Sequence, residues 1–208
     1  MTRFLLVRHG EHDFLVNGVI AGRQSGVRLN SLGQQQAEQL GESLALLPID
    51  AIYCSPLERA CETAAPLARK TKVEPNISEE FNEIEMGDWT NRSLAELDKS
   101  PQWRQWNCFR SGTRAPNGET ILDVQQRVLR KLSVLREKHR FVAIFTHADV
   151  IRATLVYFLG MPIDLLLRID VAPGSVSAIS IGVDFVRVDC VNLTPSGIKS
   201  FHHRHGGN

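Results

Sequence analysis

Near the start of the chain, an arginine and a histidine, which can bind or attack anions, are followed by a glycine, which lets the backbone turn. Arg8, His9 and Gly10 directly follow the apolar run at residues 4–7. The apolar run predicts a short buried strand, and glycine allows a sharp turn at its end. Arg8 and His9 should therefore lie at the carboxyl end of a strand, where open α/β sheets bind their ligands. A guanidinium beside an imidazole at this position predicts an anion site with a nucleophile in it.

Two more apolar runs lead into residues that could act on the same anion. The run at residues 51–54 is followed by Ser55 and then Arg59, and the run at 141–145 is followed by His147. Neighbouring parallel strands end at one edge of a sheet, so these residues can meet the arginine and histidine of the first strand in one crevice. Arginine forks match phosphate oxygens, and an imidazole can be nucleophile, acid or base. The set suits a phosphoryl group, whose transfer depends mainly on positioning and charge stabilisation.

The elements that must position these groups alternate between strands and helices. Strands are predicted over residues 3–8, 51–54, 72–77 and 141–145, and helices over 30–47, 57–70, 120–138 and 149–159. This alternation predicts an α/β fold: a three-layer α/β/α sandwich with a mostly parallel central sheet and helices on both faces. Two later runs, residues 176–181 and 185–191, predict a hairpin, with Gly182 and Asp184 between them.

The helices carry more specific predictions. Asn30 is predicted to cap the helix that begins after it, and Leu32, Leu40 and Leu44 are expected on its apolar face. Pro66 makes a bend or break possible in the helix at residues 57–70. Residues 120–138 are expected to form the longest amphipathic helix.

A helical flap is predicted at about residues 90–115. Trp103, Trp106 and Phe109 recur there at helical spacing. Packing against the domain is the favoured interpretation of this aromatic stripe, ahead of direct ligand contact.

Length and composition limit the kinds of protein. The chain has 208 residues, 43% of them hydrophobic, and no repeat or linker, so residues 1–200 are predicted to form a single domain. Residues 201–208 are predicted to be a disordered tail, where the histidines favour a frayed terminus over a physiological metal site.

Net charge and targeting signals limit which classes of partner and which location are expected. A formal net charge of +1 argues against a general nucleic-acid or membrane-surface binder. No signal peptide is recognised, and no apolar run approaches the roughly 20 residues that span a bilayer. The four cysteines are scattered without a C-x-x-C pair, so reduced thiols and a cytoplasmic location are expected.

Six motifs along residues 6–152 together resemble one known family. They are LVRHGE at 6–11, NSLGQQQA at 30–37, IYCSPLERACETA at 52–64, FNEIEMGDW at 81–89, PNGE at 116–119 and THADVIR at 146–152. In this order they are similar to the motifs of the histidine phosphatase superfamily, in its phosphoglycerate-mutase-like branch. The region after about residue 160 matches only loosely.

The resemblance implies a role for each matching residue. His9 corresponds to the nucleophile that becomes phosphohistidine, and Arg8 and Arg59 to the groups that bind the phosphoryl oxygens. His147 corresponds to a second pocket histidine that faces the same oxygens. Glu83 corresponds to the proton donor, a role that needs its pKa raised toward neutrality, for example by an apolar neighbour such as Trp89. Glu85, two residues along, is the rival candidate for that role.

The family needs neither cofactor nor metal, and none is predicted here. His9 must be neutral to attack, so its other ring nitrogen should be held by a backbone carbonyl.

Three departures from the family pattern concern the pocket. Leu15 stands where the family often has an asparagine, so Asn17, nearby but displaced, becomes the candidate for that phosphate contact. His12 replaces a small hydroxyl residue, which predicts an altered substrate preference. Ala148 and Asp149 come after His147 in place of the usual glycine, and Asp149 is expected to repel a doubly charged substrate tail.

Three functions remain open at this point. The leading one is a phosphatase that hydrolyses phosphomonoesters of small metabolites, and a phosphoglycerate mutase is the alternative. The short segment between Glu83 and His147 favours the phosphatase, and retention of the whole residue set argues against the third, an inactive phospho-ligand binding module. A homodimer is left open. Several arginines are candidates for a second anionic group, with solvated surface positions as the default: Arg23, Arg28, Arg104, Arg110 and Arg114.

Overall fold

The computed structural model describes residues 1–198 and contains one six-stranded sheet. Its strands are β1 (Thr2–Arg8), β2 (Ala51–Cys54), β3 (Pro75–Ile77), β4 (Phe141–Thr146), β5 (Val176–Ile181) and β6 (Val186–Leu193). They are arranged in the order β3-β2-β4-β1-β5-β6. Strands β3, β2, β4 and β1 are parallel to one another. Strand β5 is antiparallel to β1, and β5 and β6 form the predicted antiparallel hairpin at one edge of the sheet. The prediction of a mostly parallel sheet is confirmed.

Helices cover both faces of the sheet. The longer helices are α2 (Ser31–Leu44), α3 (Glu58–Thr71), α6 (Ile121–Leu135) and α7 (Ala148–Phe158). The shorter ones are α1 (Asp13–Val16), α4 (Leu94–Leu97) and α5 (Pro101–Cys108), with 3-10 turns at Glu79–Phe81, Gly87–Trp89 and Ile163–Arg168.

Alternate side chains of the central strands separate two cores. In β1, Phe4 and Leu6 pack in one core with α6 and α7, while Leu5 and Val7 pack in the other with α2 and α3. Successive side chains of a strand point to opposite faces, and this produces the two layers of helices. The predicted three-layer α/β/α sandwich is thus confirmed.

Most helix predictions agree with the structure. Asn30 caps α2, since its side chain accepts a hydrogen bond from the Gly33 N–H at 2.9 Å. Pro66 lies inside α3 without ending the helix. The expectation for Leu32 is wrong: its side chain is 47% exposed. At about 3.6 residues per turn it lies roughly a quarter turn or more from Leu40 and Leu44, beyond the edge of the apolar face.

The segment predicted as a helical flap contains two short helices, α4 and α5. Trp103 and Trp106 are buried with Trp89, with ring centroids 5.1 to 5.4 Å apart. Packing within the domain, the favoured interpretation, is therefore correct for the two tryptophans. Phe109 does not belong to the stripe, because it lies just past the end of α5 with φ −138° and is 51% exposed.

Two domain predictions remain untested. The single domain over residues 1–200 and the role of residues 90–115 as a flap stay predictions. The predicted disordered tail, residues 201–208 with its histidines, lies outside the described residues.

Candidate active site

The candidate site lies where three adjacent parallel strands end. Strands β2, β4 and β1 are neighbours and finish at the same edge of the sheet. Arg8 is the last residue of β1, Ser55 comes directly after β2, and His147 comes directly after β4 as the N-cap of α7. Arg59 is the second residue of α3. The topology therefore brings the predicted residues to one edge, as the pattern of apolar runs suggested.

His9 is buried and held in one tautomer. Its backbone N–H donates to the Thr146 carbonyl at 3.0 Å, and its Nδ1 lies 2.8 Å from the Gly10 carbonyl oxygen. A carbonyl only accepts, so Nδ1 carries the hydrogen and Nε2 is left with its lone pair. Burial, and then the charges of Arg59 and Arg8, hold the pKa of His9 well below its ordinary value. The imidazole is thus neutral, as nucleophilic attack requires, and the expected contact with a backbone carbonyl is present.

Arg8 and Arg59 leave guanidinium nitrogens without protein partners. Arg8 Nη1 donates to the Val171 carbonyl at 2.6 Å, and Arg59 Nη2 donates to the Gly22 carbonyl at 2.8 Å. Among the described residues, Nε of Arg8 and both Nε and Nη1 of Arg59 are buried without a hydrogen-bond partner. Buried donors are normally satisfied, so three orphaned cationic donors in one place indicate an anion site.

His147 lies between His9 and a carboxylate. The two imidazole centroids are 5.1 Å apart. His147 Nε2 is 2.7 Å from Ser55 Oγ, and its buried Nδ1 lacks a hydrogen-bond partner within the part of the chain described. Burial, together with the charge of Arg59, lowers the pKa of His147 well below its ordinary value. One nitrogen is therefore anchored by Ser55, and the other remains available.

Glu83 is the carboxylate beside His147. Its Oε2 lies 3.7 Å from His147 Nδ1, and its Oε1 accepts a hydrogen bond from the Ile84 N–H at 3.0 Å. Burial, and then the negative charge of Asp149, raises the pKa of Glu83 to about 7. The expected shift toward neutrality is present, but Trp89 instead packs edge-on against Trp103 and Trp106.

Glu85, the rival acid, is engaged elsewhere. Its side chain is 36% exposed, against 16% for Glu83, and its carboxylate lies 3.7 Å from Arg23. Its Oε1 also faces the Gly87 N–H at 3.3 Å. The geometry therefore favours Glu83.

The sequence alone did not indicate how closely His12 and Ser55 approach the two histidines of the pocket. His12 is buried, its ring centroid is 5.1 Å from that of His9, and its Nδ1 accepts from the Leu15 N–H as the cap of α1. Burial, then Arg59 and Arg8, lowers the pKa of His12 to about 4. The signal for Ser55 was its position at a strand end, whereas its contact with His147 depends on a residue 92 positions away.

Asn17 is exposed at the C-terminal end of α1. Leu15, which stands at the family's asparagine position, is also exposed. The phosphate contact of Asn17 stays a prediction.

The charge of Asp149 is paired within the protein, and its expected repulsion of an anionic substrate stays a prediction. Asp149 accepts from Arg110 Nη1 at 2.8 Å and from Arg152 Nη1 at 3.1 Å. Burial alone would raise its pKa, but these two ion pairs hold the pKa of Asp149 below its ordinary value. Arg110 is not a solvated surface arginine either: it is buried, with its guanidinium carbon 3.7 Å from the centroid of the Trp106 ring.

Within residues 1–198, no group of three or more histidine, cysteine, aspartate or glutamate side chains is arranged to hold a metal ion. The prediction of a metal-independent site remains to be tested.

Over the described residues 1–198, no helix is long and apolar enough to cross a membrane.

The family of this chain follows from its match to a protein-family model. The model of the histidine phosphatase superfamily, branch 1, matches residues 4–194. The chain belongs to this superfamily. The predicted family is confirmed.

Relatives within the histidine phosphatase superfamily include both phosphatases and a mutase. The adenosylcobalamin/alpha-ribazole phosphatase of Escherichia coli is 28% identical over 95% of this chain and 99% of its own. The probable phosphoglycerate mutase of Proteus mirabilis is 29% identical over 78% of this chain and 77% of its own. Among solved structures, the mycobacterial glucosyl-3-phosphoglycerate phosphatase has a TM-score of 0.85 and 26% identity, over 93% of this chain and 100% of that one.

Proposed function

We propose that this protein is a phosphatase that hydrolyses phosphomonoesters of small metabolites through a phosphohistidine on His9. One observation carries the proposal. His9 is neutral with its Nδ1 hydrogen bonded to the Gly10 carbonyl, and it lies beside two arginines, three of whose buried nitrogens have no hydrogen-bond partner among the described residues. A nucleophile with a free Nε2 and a cationic cradle for phosphate oxygens are the two requirements for phosphoryl transfer to the enzyme.

In the first step, His9 Nε2 attacks the phosphorus and the bond to the leaving oxygen breaks. Arg8 and Arg59 hold the equatorial oxygens, where charge must be stabilised. His147 is anchored through its Nε2 by Ser55, and its Nδ1, which has no hydrogen-bond partner among the described residues, is assigned to the same group. Glu83 protonates the departing alkoxide, a role supported by a pKa of about 7, which leaves the carboxyl partly protonated near neutrality.

In the second step, water cleaves the phosphorus–nitrogen bond. Glu83, now a carboxylate, accepts a proton from the attacking water, and His9 leaves as the neutral imidazole. Inorganic phosphate and the resting enzyme are the products. The same residue serves as acid and then base because the second step is chemically the reverse of the first, with water in place of the alcohol.

A mutase would use the same pocket but return the phosphoryl group to a second acceptor. The resemblance to a probable phosphoglycerate mutase keeps this alternative open. The short segment between Glu83 and His147 supports the phosphatase.

A screen of the purified protein against many phosphomonoesters, without added metal and with a chelator in a parallel arm, tests the proposal. We expect phosphate release in both arms, because arginines and histidines supply the positive charge that a metal would provide. In water enriched in heavy oxygen, hydrolysis places that isotope in the phosphate, whereas a mutase transfers the group without it. Activity that is lost in chelator and restored by one divalent ion, or transfer without isotope uptake, would contradict the proposal.

The pKa of Glu83 predicts the pH dependence of phosphoenzyme formation. Because the pKa is raised to about 7, the carboxyl stays protonated well above its ordinary range. His9 stays neutral on the acid side because its pKa is lowered. The rate of formation from an alkyl phosphate in a single turnover should therefore be nearly constant at acidic pH, fall to about half near pH 7 and decline further above it. A rate that rises with pH through this range would contradict the assignment of Glu83 as the acid.

Asp149 should set part of that profile. Its negative charge raises the pKa of Glu83, so Asp149→Asn should lower that pKa and move the alkaline decline toward lower pH. The same substitution leaves the positive charges of Arg110 and Arg152 without their partner, which also lowers the pKa of Glu83. We expect a shift of about one pH unit, which corresponds to about 1.4 kcal/mol. Asp184→Asn, exposed in the hairpin at the opposite edge of the sheet, is the control. An unchanged or alkaline-shifted profile would show that Asp149 does not act on Glu83.

A further inference from the structure

Two cysteine thiols meet directly behind the candidate active site. Cys54 ends β2 and Cys61 lies in the first turns of α3, with their sulfur atoms 3.6 Å apart. Both sulfurs also lie near the Ser55 carbonyl oxygen, Cys54 Sγ at 3.1 Å and Cys61 Sγ at 3.3 Å. None of the catalytic steps described above uses either thiol.

The two thiols differ in access and in acidity. Cys54 is fully buried, whereas Cys61 is partly exposed. Both line a cleft of about 580 Å³ whose wall also contains Arg69, Lys72 and Glu74. The contact with Cys54 lowers the pKa of Cys61, while the same contact and burial raise the pKa of Cys54. An accessible thiol of lowered pKa backed by a second thiol is the arrangement of redox-reactive cysteine pairs.

We propose that Cys54 and Cys61 are a modification site that a hydroperoxide converts into a reversible disulfide, and that the bridge lowers turnover at the adjacent phosphoryl site. The Cys61 thiolate attacks one peroxide oxygen, the O–O bond breaks, and a sulfenic acid forms while the other oxygen leaves as hydroxide, or as an alkoxide from an organic hydroperoxide. The Cys54 sulfur then displaces the sulfenic oxygen, which leaves with a proton as water. The two thiols are oxidised by two electrons and the peroxide is reduced; a dithiol reductant restores both thiols by exchange.

The bridge acts on the site because two pocket residues lie between the cysteines in the chain. Ser55 anchors His147, and Arg59 contributes two of the orphaned cationic nitrogens. A disulfide needs its sulfurs about 2.05 Å apart, so the two side chains, together with the end of β2 and the start of α3 that carry them, must close the present gap of 3.6 Å. A misplacement of about 1 Å at a positioned group costs up to about 100-fold in rate. The effect on turnover rests on the proposed function; the bridge itself does not.

The test treats the full-length wild-type protein with hydrogen peroxide and maps its peptides by mass spectrometry without reduction. We expect a peptide pair that joins Cys54 to Cys61, lighter by two hydrogen atoms, in the wild type and in Cys108→Ser. Cys108 is exposed at the end of α5 and is the matched control. Cys61→Ser should form no bridge, and Cys54→Ser should leave a sulfenic acid on Cys61 that dimedone traps.

Turnover is measured in the same samples. Peroxide should lower it about 10- to 100-fold in the wild type and in Cys108→Ser, with recovery in dithiothreitol, and should leave Cys61→Ser unaffected. Oxidation of Cys61 without the cross-linked peptide, a bridge to another cysteine, or a bridge with unchanged turnover would overturn the proposal. A protein inactive before oxidation would count against the proposed function alone, because the cross-link is read by mass.

Discussion

His9→Ala should abolish hydrolysis while the protein stays folded. The substitution removes the only protein atom proposed to bond to phosphorus, and loss of an enzymatic nucleophile costs about 10⁴- to 10⁶-fold in kcat. The hydrogen bond of the ring goes to the neighbouring Gly10 carbonyl, so the contact that is lost is local and the fold does not depend on it. Steady-state hydrolysis of a phosphomonoester, together with circular dichroism of the variant, measures both parts of the prediction.

A covalent intermediate gives this prediction a second measurement. Quenched wild-type enzyme should carry acid-labile phosphate from a radiolabelled substrate, and His9→Ala should carry none. His139→Ala is the control, since His139 lies beside Tyr53 and Asp50, near the start of β4. Near-normal hydrolysis by a folded His9→Ala protein would overturn the mechanism.

Glu83→Gln should impair substrates in proportion to the basicity of their leaving group. An alkyl phosphate releases a strongly basic alkoxide that needs a proton, whereas a nitrophenyl phosphate releases a stable phenolate that needs it much less. General acid catalysis is worth about 10²- to 10⁴-fold, so the alkyl ester should lose about 3–5 kcal/mol of transition-state stabilisation and the aryl ester distinctly less. Phosphoenzyme formation must be measured in a single turnover, because the later attack of water is common to both substrates.

Glu85→Gln provides the matched comparison for this experiment. Glu85 is the nearest carboxylate in sequence, but it is paired with Arg23 instead of facing His147. We expect nearly normal, unselective rates from it. Equal slowing of both esters in Glu83→Gln, or selective loss in Glu85→Gln alone, would show that Glu83 is not the acid.

The strand ends could be predicted because their signals are local. The apolar run before Arg8, the run before His147 and the alternation of elements fix which edge of the sheet collects the polar groups. Parallel strands end at a common edge, so the sequence alone was enough to predict that these groups meet. The tautomer of His9 could be anticipated for a similar reason, since its partner is the next residue along the chain.

The remaining features depend on partners that are distant in sequence. One of the two ion pairs of Asp149 is formed with Arg110, 39 residues away, a partner that the residues around Asp149 in the chain do not reveal. The predicted aromatic stripe does not extend to Phe109, because α5 ends before this residue, a boundary that the spacing of aromatic residues does not reveal. Leu32 shows the same limit at the start of a helix, where a leucine just outside the apolar face fits the pattern almost as well as one inside it.

The tryptophan cluster gives this protein an intrinsic fluorescent probe. The chain contains three tryptophans, and Trp89, Trp103 and Trp106 all lie in one cluster. Excitation should pass readily among rings whose centroids are 5.1 to 5.4 Å apart, so the intrinsic fluorescence reports on a single place. That place is linked to the pocket, because Arg110 covers the Trp106 ring and is paired with Asp149. Ligand binding that shifts Asp149 would therefore change the emission without any attached dye.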